Sequence, residues 1–359
     1  MALDRITLTR FRNHQASRLE GSAKLNLLVG ENGAGKTNVL EALSLLAPGR
    51  GLRRASLAEL ALGGTGPFGI NAELGERGAA EGVRLGTGTL DERPGRRIVQ
   101  VNGAETSAIA LGEWLAAAWL TPAMDRLFAD SASVRRRYMD RLSLALDPSH
   151  ARHASRYEAA LRERNRLLTE DRLDLQWLES LEAQLAEAGA LLAQGRARTV
   201  EQLATALGAL PEAPFARPTL AYEPGGPVEA STLAAELAQQ RPRDRAAQRT
   251  LIGPHRDELA VTMAGTSMPA ANCSTGEQKA MLIAITLAHA ELAAAGRPGV
   301  LLLDEVAAHL DPIRRTALFE RLRMGGAQAW LTGTEVAPFA AIESEAAVWR
   351  VVEGSVERL

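Results

Sequence analysis

Near the start of the chain, the run Gly30-Glu31-Asn32-Gly33-Ala34-Gly35-Lys36-Thr37 has the residue types and spacing to hold a phosphate chain. It fits the pattern G-x-x-x-x-G-K-[ST] with no departure. Glycines let the backbone turn tightly and aim its N–H groups at phosphate oxygens. A helix beginning at Lys36 would add the partial positive charge of its N-terminus. In such a loop Lys36 reaches the β- and γ-phosphates of a nucleoside triphosphate, and the Thr37 hydroxyl ligates Mg²⁺. Far along the chain, the apolar run Val300-Leu301-Leu302-Leu303 ends in Asp304-Glu305. An apolar strand that closes on two acids is the Walker B pattern. Asp304 is suited to hold Mg²⁺ through water, and Glu305 to polarise an attacking water. Together the two runs predict ATP and Mg²⁺ as cofactors, with Lys36 and Glu305 as the catalytic residues.

A third run, Ser274-Thr275-Gly276-Glu277-Gln278-Lys279, opens an apolar helical stretch. Its plain reading is an N-cap, with Ser followed three residues on by Glu. Ser274 and Gly276 can also offer a hydroxyl and a backbone N–H to an anion at the helix start. Shortly upstream of Asp304, this run resembles the ABC signature S-x-G-x-Q. In ABC ATPases that loop covers the γ-phosphate held by the P-loop of a second subunit. The resemblance implies nucleotide contacts from Ser274, Gly276 and Gln278, and an ATP-dependent head-to-tail homodimer. Ala308-His309-Leu310-Asp311 resembles the D-loop, which lies at the dimer seam. Thr332-Gly333-Thr334 occupies the place of the ABC switch histidine with hydroxyls instead of an imidazole.

These residues need strands and helices to hold them. Asp4 to Thr9 alternates with Ile6 and Leu8 on one side, as a strand does. Leu25 to Val29 reads as a buried strand leading into the P-loop. From Lys36 a helical face carries Val39, Leu40, Leu43, Leu46 and Ala47. Residues 49–105 are rich in Gly and Arg and predict a small antiparallel layer, with Asn102-Gly103 a hairpin turn. From Ser131 to Leu210 the chain reads as helical. Leu178, Leu181, Leu185, Ala188 and Leu192 form a heptad-like stripe, and Val200, Leu203, Leu207 and Leu210 follow in a shifted phase. A self-packed helical hairpin accounts for both. Residues 211–227 are rich in Pro and Gly and read as a loop-rich break. Strands then follow at Leu259–Met263, Val300–Leu303, Ala329–Thr332 and Ala347–Val352, with a helix over Thr275–Ala295. The fold expected is α/β. It is an ABC-type P-loop ATPase head of mixed and parallel sheet, split into residues 1–122 and 250–359 by an inserted helical lobe at 123–249.

The totals set bounds. The chain has 359 residues, 46% of them hydrophobic, and a formal net charge of -2. That charge excludes a uniformly basic coat, so an anionic partner must be held by local patches. A single cysteine, Cys273, cannot form an internal disulfide. The first ten residues lack the apolar core of a signal peptide. The most apolar helical stretch, residues 280–295, is broken by His289 and Glu291 and is too short to span a bilayer. A cytoplasmic protein with no membrane partner is expected. Of the 41 basic residues, only Lys24, Lys36 and Lys279 are lysines. Two of them fall inside the phosphate motifs, where ammonium and guanidinium are not interchangeable.

Several runs together look like the bacterial RecF family. They are Asp4-Arg5-Ile6-Thr7-Leu8-Thr9-Arg10-Phe11-Arg12-Asn13, the P-loop with Asn38-Val39-Leu40-Glu41-Ala42 after it, Gly253-Pro254-His255-Arg256-Asp257, and Cys273 to Lys279. The resemblance covers essentially the whole chain. It implies an ATP-gated DNA binder in gap repair, replication maintenance and SOS induction. Such a protein acts with RecO and RecR to load recombinase on single-stranded gaps, and its slow hydrolysis serves as a switch. The chain departs from the family at Thr121-Pro122-Ala123-Met124-Asp125, where Ser/Thr-Pro-Glu is common, and no Q-loop glutamine is visible. Independently of the family, residues 126–166 hold ten Arg against five acids. Arg135, Arg136, Arg137 and Arg141 are the candidates for contact with single-stranded or gapped duplex DNA through phosphates. The plain reading of any single one is a solvated helix face with pairs such as Glu158–Arg162. The alternative for the whole chain is the ATPase subunit of an ABC transporter. The long stretch between P-loop and signature, its helical lobe and the Phe11-Arg12-Asn13 start all speak against that.

Overall fold

The computed structural model describes residues 2–75, 82–170 and 172–359. They form two compact units. The first holds Met1–Asp125, Ala213–Phe215 and Leu282–Leu359; the second holds Arg126–Glu212 and Ala216–Met281.

The first unit opens with β1 (Ala2–Phe11), β2 (His14–Glu20), β3 (Leu25–Val29) and α1 (Lys36–Ser44). Then come α2 (Leu57–Leu60), β4 (Gly69–Gly75), β5 (Val83–Leu90), β6 (Arg93–Val101), β7 (Ala104–Glu105), α3 (Leu111–Trp114) and β8 (Ala116–Leu120). The second unit supplies α4 (Ala132–Leu146), α5 (His150–Leu168), α6 (Leu175–Gly208), β9 (Pro218–Glu223), α7 (Ala230–Ala247), β10 (Glu258–Met263) and β11 (Met268–Pro269). Helix α8 (Thr275–Ala293) begins in the second unit and ends in the first. β12 (Gly299–Leu303), α9 (Pro312–Met324), β13 (Gln328–Gly333), β14 (Ala346–Val352) and β15 (Ser355–Arg358) complete the first.

The central sheet of the first unit has the order β15-β14-β3-β13-β12-β8. All its pairings are parallel except β14 with β15. β3, β8 and β13 are buried at every position, as strands of a parallel sheet covered on both faces are. Trp330 on β13 and Trp349 on β14 stack with centroids 5.3 Å apart. A second, antiparallel sheet has the order β2-β1-β4-β5-β6-β7. It contains the layer expected between residues 49 and 105, and β1 and β2 extend it. Asn102 and Gly103 take φ of 51° and 82° in the turn from β6 to β7, the geometry the Asn-Gly pair favours. Leu8 of β1, Val39 and Leu43 of α1, Ile70 of β4 and Trp330 belong to one core.

In the second unit α5, α6 and α7 share a core of Tyr157, Leu185, Leu192, Leu233 and Leu237. The heptad-like stripe and the shifted Val200, Leu203 and Leu207 are not the two arms of a hairpin: both are buried along one continuous helix of 34 residues, α6. Two further elements differ from expectation. The stretch read as loop-rich contains β9, an edge strand paired antiparallel to β10 that begins at Pro218. An edge strand tolerates a proline at its first position. Residues 230–247, assigned no element by sequence, form α7. Leu233 and Leu237 are its only buried apolar side chains and Pro242 lies inside it, so its apolar stripe is too thin to read. Among the described residues, no helix is long and apolar enough to cross a membrane.

Candidate nucleotide site

Open parallel sheets bind ligands at the carboxyl ends of their strands. Here the P-loop leaves β3 and the acids leave β12, with β13 between them. Gly30 N–H donates to the Gly333 carbonyl at 3.3 Å. A Cβ at Gly30 would sit 2.1 Å from the Val351 carbonyl oxygen, so no other residue fits. At Gly35, φ is 119° and a Cβ would meet the side chains of Asn13 and His14 at 2.8–2.9 Å. Over Gly33 nothing lies within 4 Å, which leaves the loop's outer face open. Lys36 donates from Nζ to the carbonyls of Gly30 at 2.6 Å and Glu31 at 2.8 Å. Burial holds its pKa below the usual lysine value, opposed by Glu305 and Asp304. Beside the loop lies a cleft of about 690 Å³, lined by residues 29–34, Thr334, Glu335, Arg350 and Glu353 among others.

Thr37 and Asp304, distant in sequence, meet at this end of the sheet. The Thr37 hydroxyl donates to the Asp304 carboxylate, 2.9 Å from Oδ1 and 3.1 Å from Oδ2. The Thr332 hydroxyl donates to Asp304 Oδ1 at 2.8 Å and accepts from the Glu305 N–H at 2.9 Å. Glu305 follows in the left-handed region, φ 54°. A hydroxyl and a carboxylate within hydrogen-bond distance are the oxygen donors a hard divalent cation takes, so the set fits Mg²⁺. Of the two threonines at the switch position, Thr332 is buried under Asp304, and Thr334 is exposed and lines the cleft.

The sequence reading assigned no role to Asn13, His14, Ser17 or Gly354, which brace the loop. Asn13 donates to the Ala34 carbonyl at 3.0 Å and accepts from Asn38 at 2.7 Å. His14 is fully buried, with Nε2 3.1 Å from the Gly35 carbonyl and Nδ1 2.8 Å from Ser17 Oγ. Ser17 donates to the Gly354 carbonyl, and Gly354 N–H to the Ala34 carbonyl, both at 2.8 Å. Burial pushes the His14 pKa down, against the two carbonyls. Arg12 grips Glu41 of α1 with two bonds of 2.8 and 2.7 Å, and Arg53 adds a third at 3.0 Å. The one signal in the sequence was adjacency: Arg12, Asn13 and His14 lie at the tight turn between β1 and β2, beside Phe11.

The signature-like residues lie in the second unit. Ser274 and Glu277 form the reciprocal cap expected of the plain reading. Ser274 N–H donates to Glu277 at 2.8 Å and Glu277 N–H to Ser274 Oγ at 3.3 Å. The buried Gln278 amide donates to the Cys273 carbonyl at 2.9 Å, bracing the loop from within. Asp311 caps α9, accepting from Arg314 N–H at 2.9 Å.

The arginine-rich segment is more self-contained than its charge implies. Arg135 holds Glu258 with two bonds of 2.7 and 2.8 Å. Arg136 donates to the Asp257 carbonyl at 3.0 Å. Arg141 lies 4.9 Å from the Tyr138 ring centroid, and burial pushes its pKa down to about 10. Arg162 pairs with Glu158 at 3.8 Å, and Arg164 is fully buried. Of the four arginines read as DNA contacts, Arg137 alone is exposed.

A P-loop, a Walker B acid one strand removed and a signature-like cap on a separate helix define an ABC-class ATPase head. Residues 2–333 match the family model of the RecF/RecN/SMC N-terminal domain. The chain is 46% identical over 371 residues to the DNA replication and repair protein RecF of Mesorhizobium japonicum, covering 99% of this chain and 97% of that one. It is 43% identical over 378 residues to the RecF protein of Rhizobium leguminosarum bv. trifolii, with 99% and 98% covered. The chain belongs to the RecF family. A solved structure of the recombination mediator protein RecF with ATP, of the RecFOR pathway, aligns with TM-score 0.85 at 25% identity, covering 100% of this chain and 97% of that one. The Smc head domain of Pyrococcus furiosus aligns with TM-score 0.54 at 16% identity, covering 100% and 96%, which is a likeness of fold. These full-length matches give the transporter reading no support.

Proposed function

We propose that this protein is an ATP-switched DNA binder of recombinational gap repair, replication maintenance and SOS induction, acting with RecO and RecR to load recombinase on single-stranded gaps. ATP is its nucleotide, held by residues 30–37. Thr37 and Asp304 would hold Mg²⁺, which offsets phosphate charge, and Glu305 orients the attacking water. Ser274, Gly276 and Gln278 of a second copy cover the phosphate, so ATP joins a head-to-tail dimer. Residues 123–249 act as a lobe inserted between the two parts of the head, 1–122 and 250–359. The observation that carries the reading is the 2.9 Å contact between Thr37 Oγ1 and Asp304 Oδ1, which joins the two phosphate-site motifs. The family relationship supports the cellular role.

The test is fluorescence anisotropy on gapped duplex DNA without nucleotide, with ADP and with ATP, over a salt series. Tight, salt-sensitive binding only with ATP is expected. Equal binding in all three states, or none, would remove ATP gating of DNA and leave a partner-recruiting ATPase.

A further inference from the structure

The run Gly253-Pro254-His255-Arg256-Asp257 is held rigidly, and four of its five residues are used inside the second unit. Gly253 takes φ 115°, and a Cβ there would lie 2.8 Å from the Tyr157 hydroxyl. The Pro254 carbonyl accepts from Arg196 at 2.6 Å. His255 lies 2.7 Å from the Tyr157 hydroxyl and 2.9 Å from the Thr250 carbonyl. Asp257, 1% exposed, accepts from Arg196 at 2.8 Å, Tyr222 at 2.7 Å and Gly225 N–H at 2.8 Å. Arg256 is the exception. Its backbone is fixed by an N–H bond of 2.8 Å to the Gly253 carbonyl, and the Gly225 backbone packs against its Cβ. Its guanidinium is exposed and has no hydrogen-bond or ion-pair partner among the described residues.

An exposed arginine is ordinary by itself. Two further observations set this one apart. The two carboxylates that follow it in the chain are already committed, Asp257 as above and Glu258 to Arg135, while Glu223, opposite Glu258 on β9, is exposed. Arg136, on α4, lies within electrostatic reach of Arg256. Burial first and then Arg196 hold the Arg136 pKa down, and Arg256 adds to both, with Glu258 and Asp257 opposing. The exposed Arg256 guanidinium and Arg136 thus bring two positive charges near one another where the backbone is held firmly. An unpaired guanidinium on a fixed backbone, beside like charge, suits a phosphate oxygen, because the anion relieves the repulsion.

We infer that Arg256, with Arg136 beside it, is a contact for the phosphodiester backbone of DNA, presented by the otherwise internally bonded Gly253–Asp257 run. This deepens the DNA-binding reading above and rests on it. It replaces the earlier emphasis on Arg135 and Arg141, whose guanidinium groups are engaged internally.

The test uses the full chain with ATP and fluorescein-labelled gapped duplexes of two unrelated sequences, titrated over a salt series. Arg256→Ala is expected to weaken both duplexes equally. It should also reduce the slope of log affinity against log salt by about 0.9, the value of one phosphate contact. Arg256→Lys should keep the wild-type slope, and Arg256→Glu should lose more affinity than the alanine variant. All three variants should melt at the wild-type temperature and bind ATP as wild type does, because no internal contact uses the guanidinium. Wild-type affinity and slope in Arg256→Ala would overturn the assignment while leaving the DNA-binding reading intact. Absence of DNA binding by the wild-type chain in every nucleotide state would instead overturn both.

Discussion

The hydroxyl of Thr332 fixes the two residues to which the proposed hydrolysis assigns Mg²⁺ binding and water orientation. It donates to Asp304 Oδ1 and accepts from the N–H of Glu305, in a setting 1% exposed. Glu305 is a non-glycine residue at φ 54°, a conformation that persists only when its surroundings impose it. Thr332→Val keeps the shape and removes the tether, leaving a buried N–H without an acceptor, at about 1–3 kcal/mol. If that loss falls on the transition state, turnover drops about tenfold or more. Nucleotide affinity should change little, since Lys36 and the loop amides are untouched, and Thr332→Ser should recover the rate. An ATPase assay paired with nucleotide titration checks this; equal loss in affinity and turnover would contradict it. His14 makes a prediction in pH. Its folded pKa lies below the ordinary 6.5, burial being the larger cause. The unfolded chain therefore takes up a proton first as pH falls through about 6.5, and stability is lost from there downward. His153 and His255 are shifted the same way, each chiefly by burial. His14→Gln keeps a donor for the Gly35 carbonyl and removes one share of this dependence. Its melting temperature should fall less steeply than wild type between about pH 7 and pH 5. An unchanged slope would mean His14 does not titrate with unfolding.

Helices α5, α6 and α7 meet at a buried charge cluster. Arg164 of α5, fully buried, donates to Asp244 of α7 at 2.7 Å and to Glu182 of α6 at 3.1 Å, with Thr250 a further acceptor at 2.7 Å. Removing the cation leaves buried Asp244 without its ion pair, while Glu182 keeps Arg241 at 2.6 Å, a loss of about 3–5 kcal/mol. Arg164→Met should lower the urea midpoint accordingly, and a change within about 0.5 kcal/mol would show that water or relaxation replaces the guanidinium. This cluster also marks where sequence reading stops. Elements with a strong pattern were legible: β3 as a mostly apolar run and β12 as an unbroken one, α6 through its leucine stripe, the β6–β7 turn through Asn102-Gly103. α7 was not legible, because Asp244 and Arg164 do in its packing what leucines do elsewhere, and a buried ion pair looks like surface in a sequence. For the same reason the arginines of α4 and α5 read as a basic face although Arg135 and Arg164 are paired inside. At the nucleotide site the residues that would touch phosphate carry a fixed spacing and were legible. Asn13, His14, Ser17 and Gly354 brace the loop through contacts that only the folded sheet creates, and no local pattern announces them.

Across the whole molecule, the proposed cycle requires that the phosphate site be completed by a second copy. Within the chain, the P-loop, Asp304 and Glu305 belong to one compact unit, and Ser274 with Gly276 to the other. Ser274 already caps its own helix through Glu277, a bond that the plain N-cap reading explains without any nucleotide. Two variants separate that reading from a contact across a dimer. Glu305→Gln keeps the shape of the site and removes the carboxylate that would polarise water, so ATP should persist and the dimer accumulate. Ser274→Arg places a long cation where a second copy's phosphate loop would approach; its own P-loop is unaltered. In sedimentation with ATP, Glu305→Gln should run as a dimer and Ser274→Arg as a monomer that still binds ATP. Loss of the cap in Ser274→Arg costs about 0.5–2 kcal/mol of helix stability, so its melting temperature must be read beside its sedimentation. A folded, ATP-binding Ser274→Arg that dimerises like wild type would return Ser274 to a capping role alone. A monomeric Glu305→Gln at saturating ATP would remove the ATP-joined dimer.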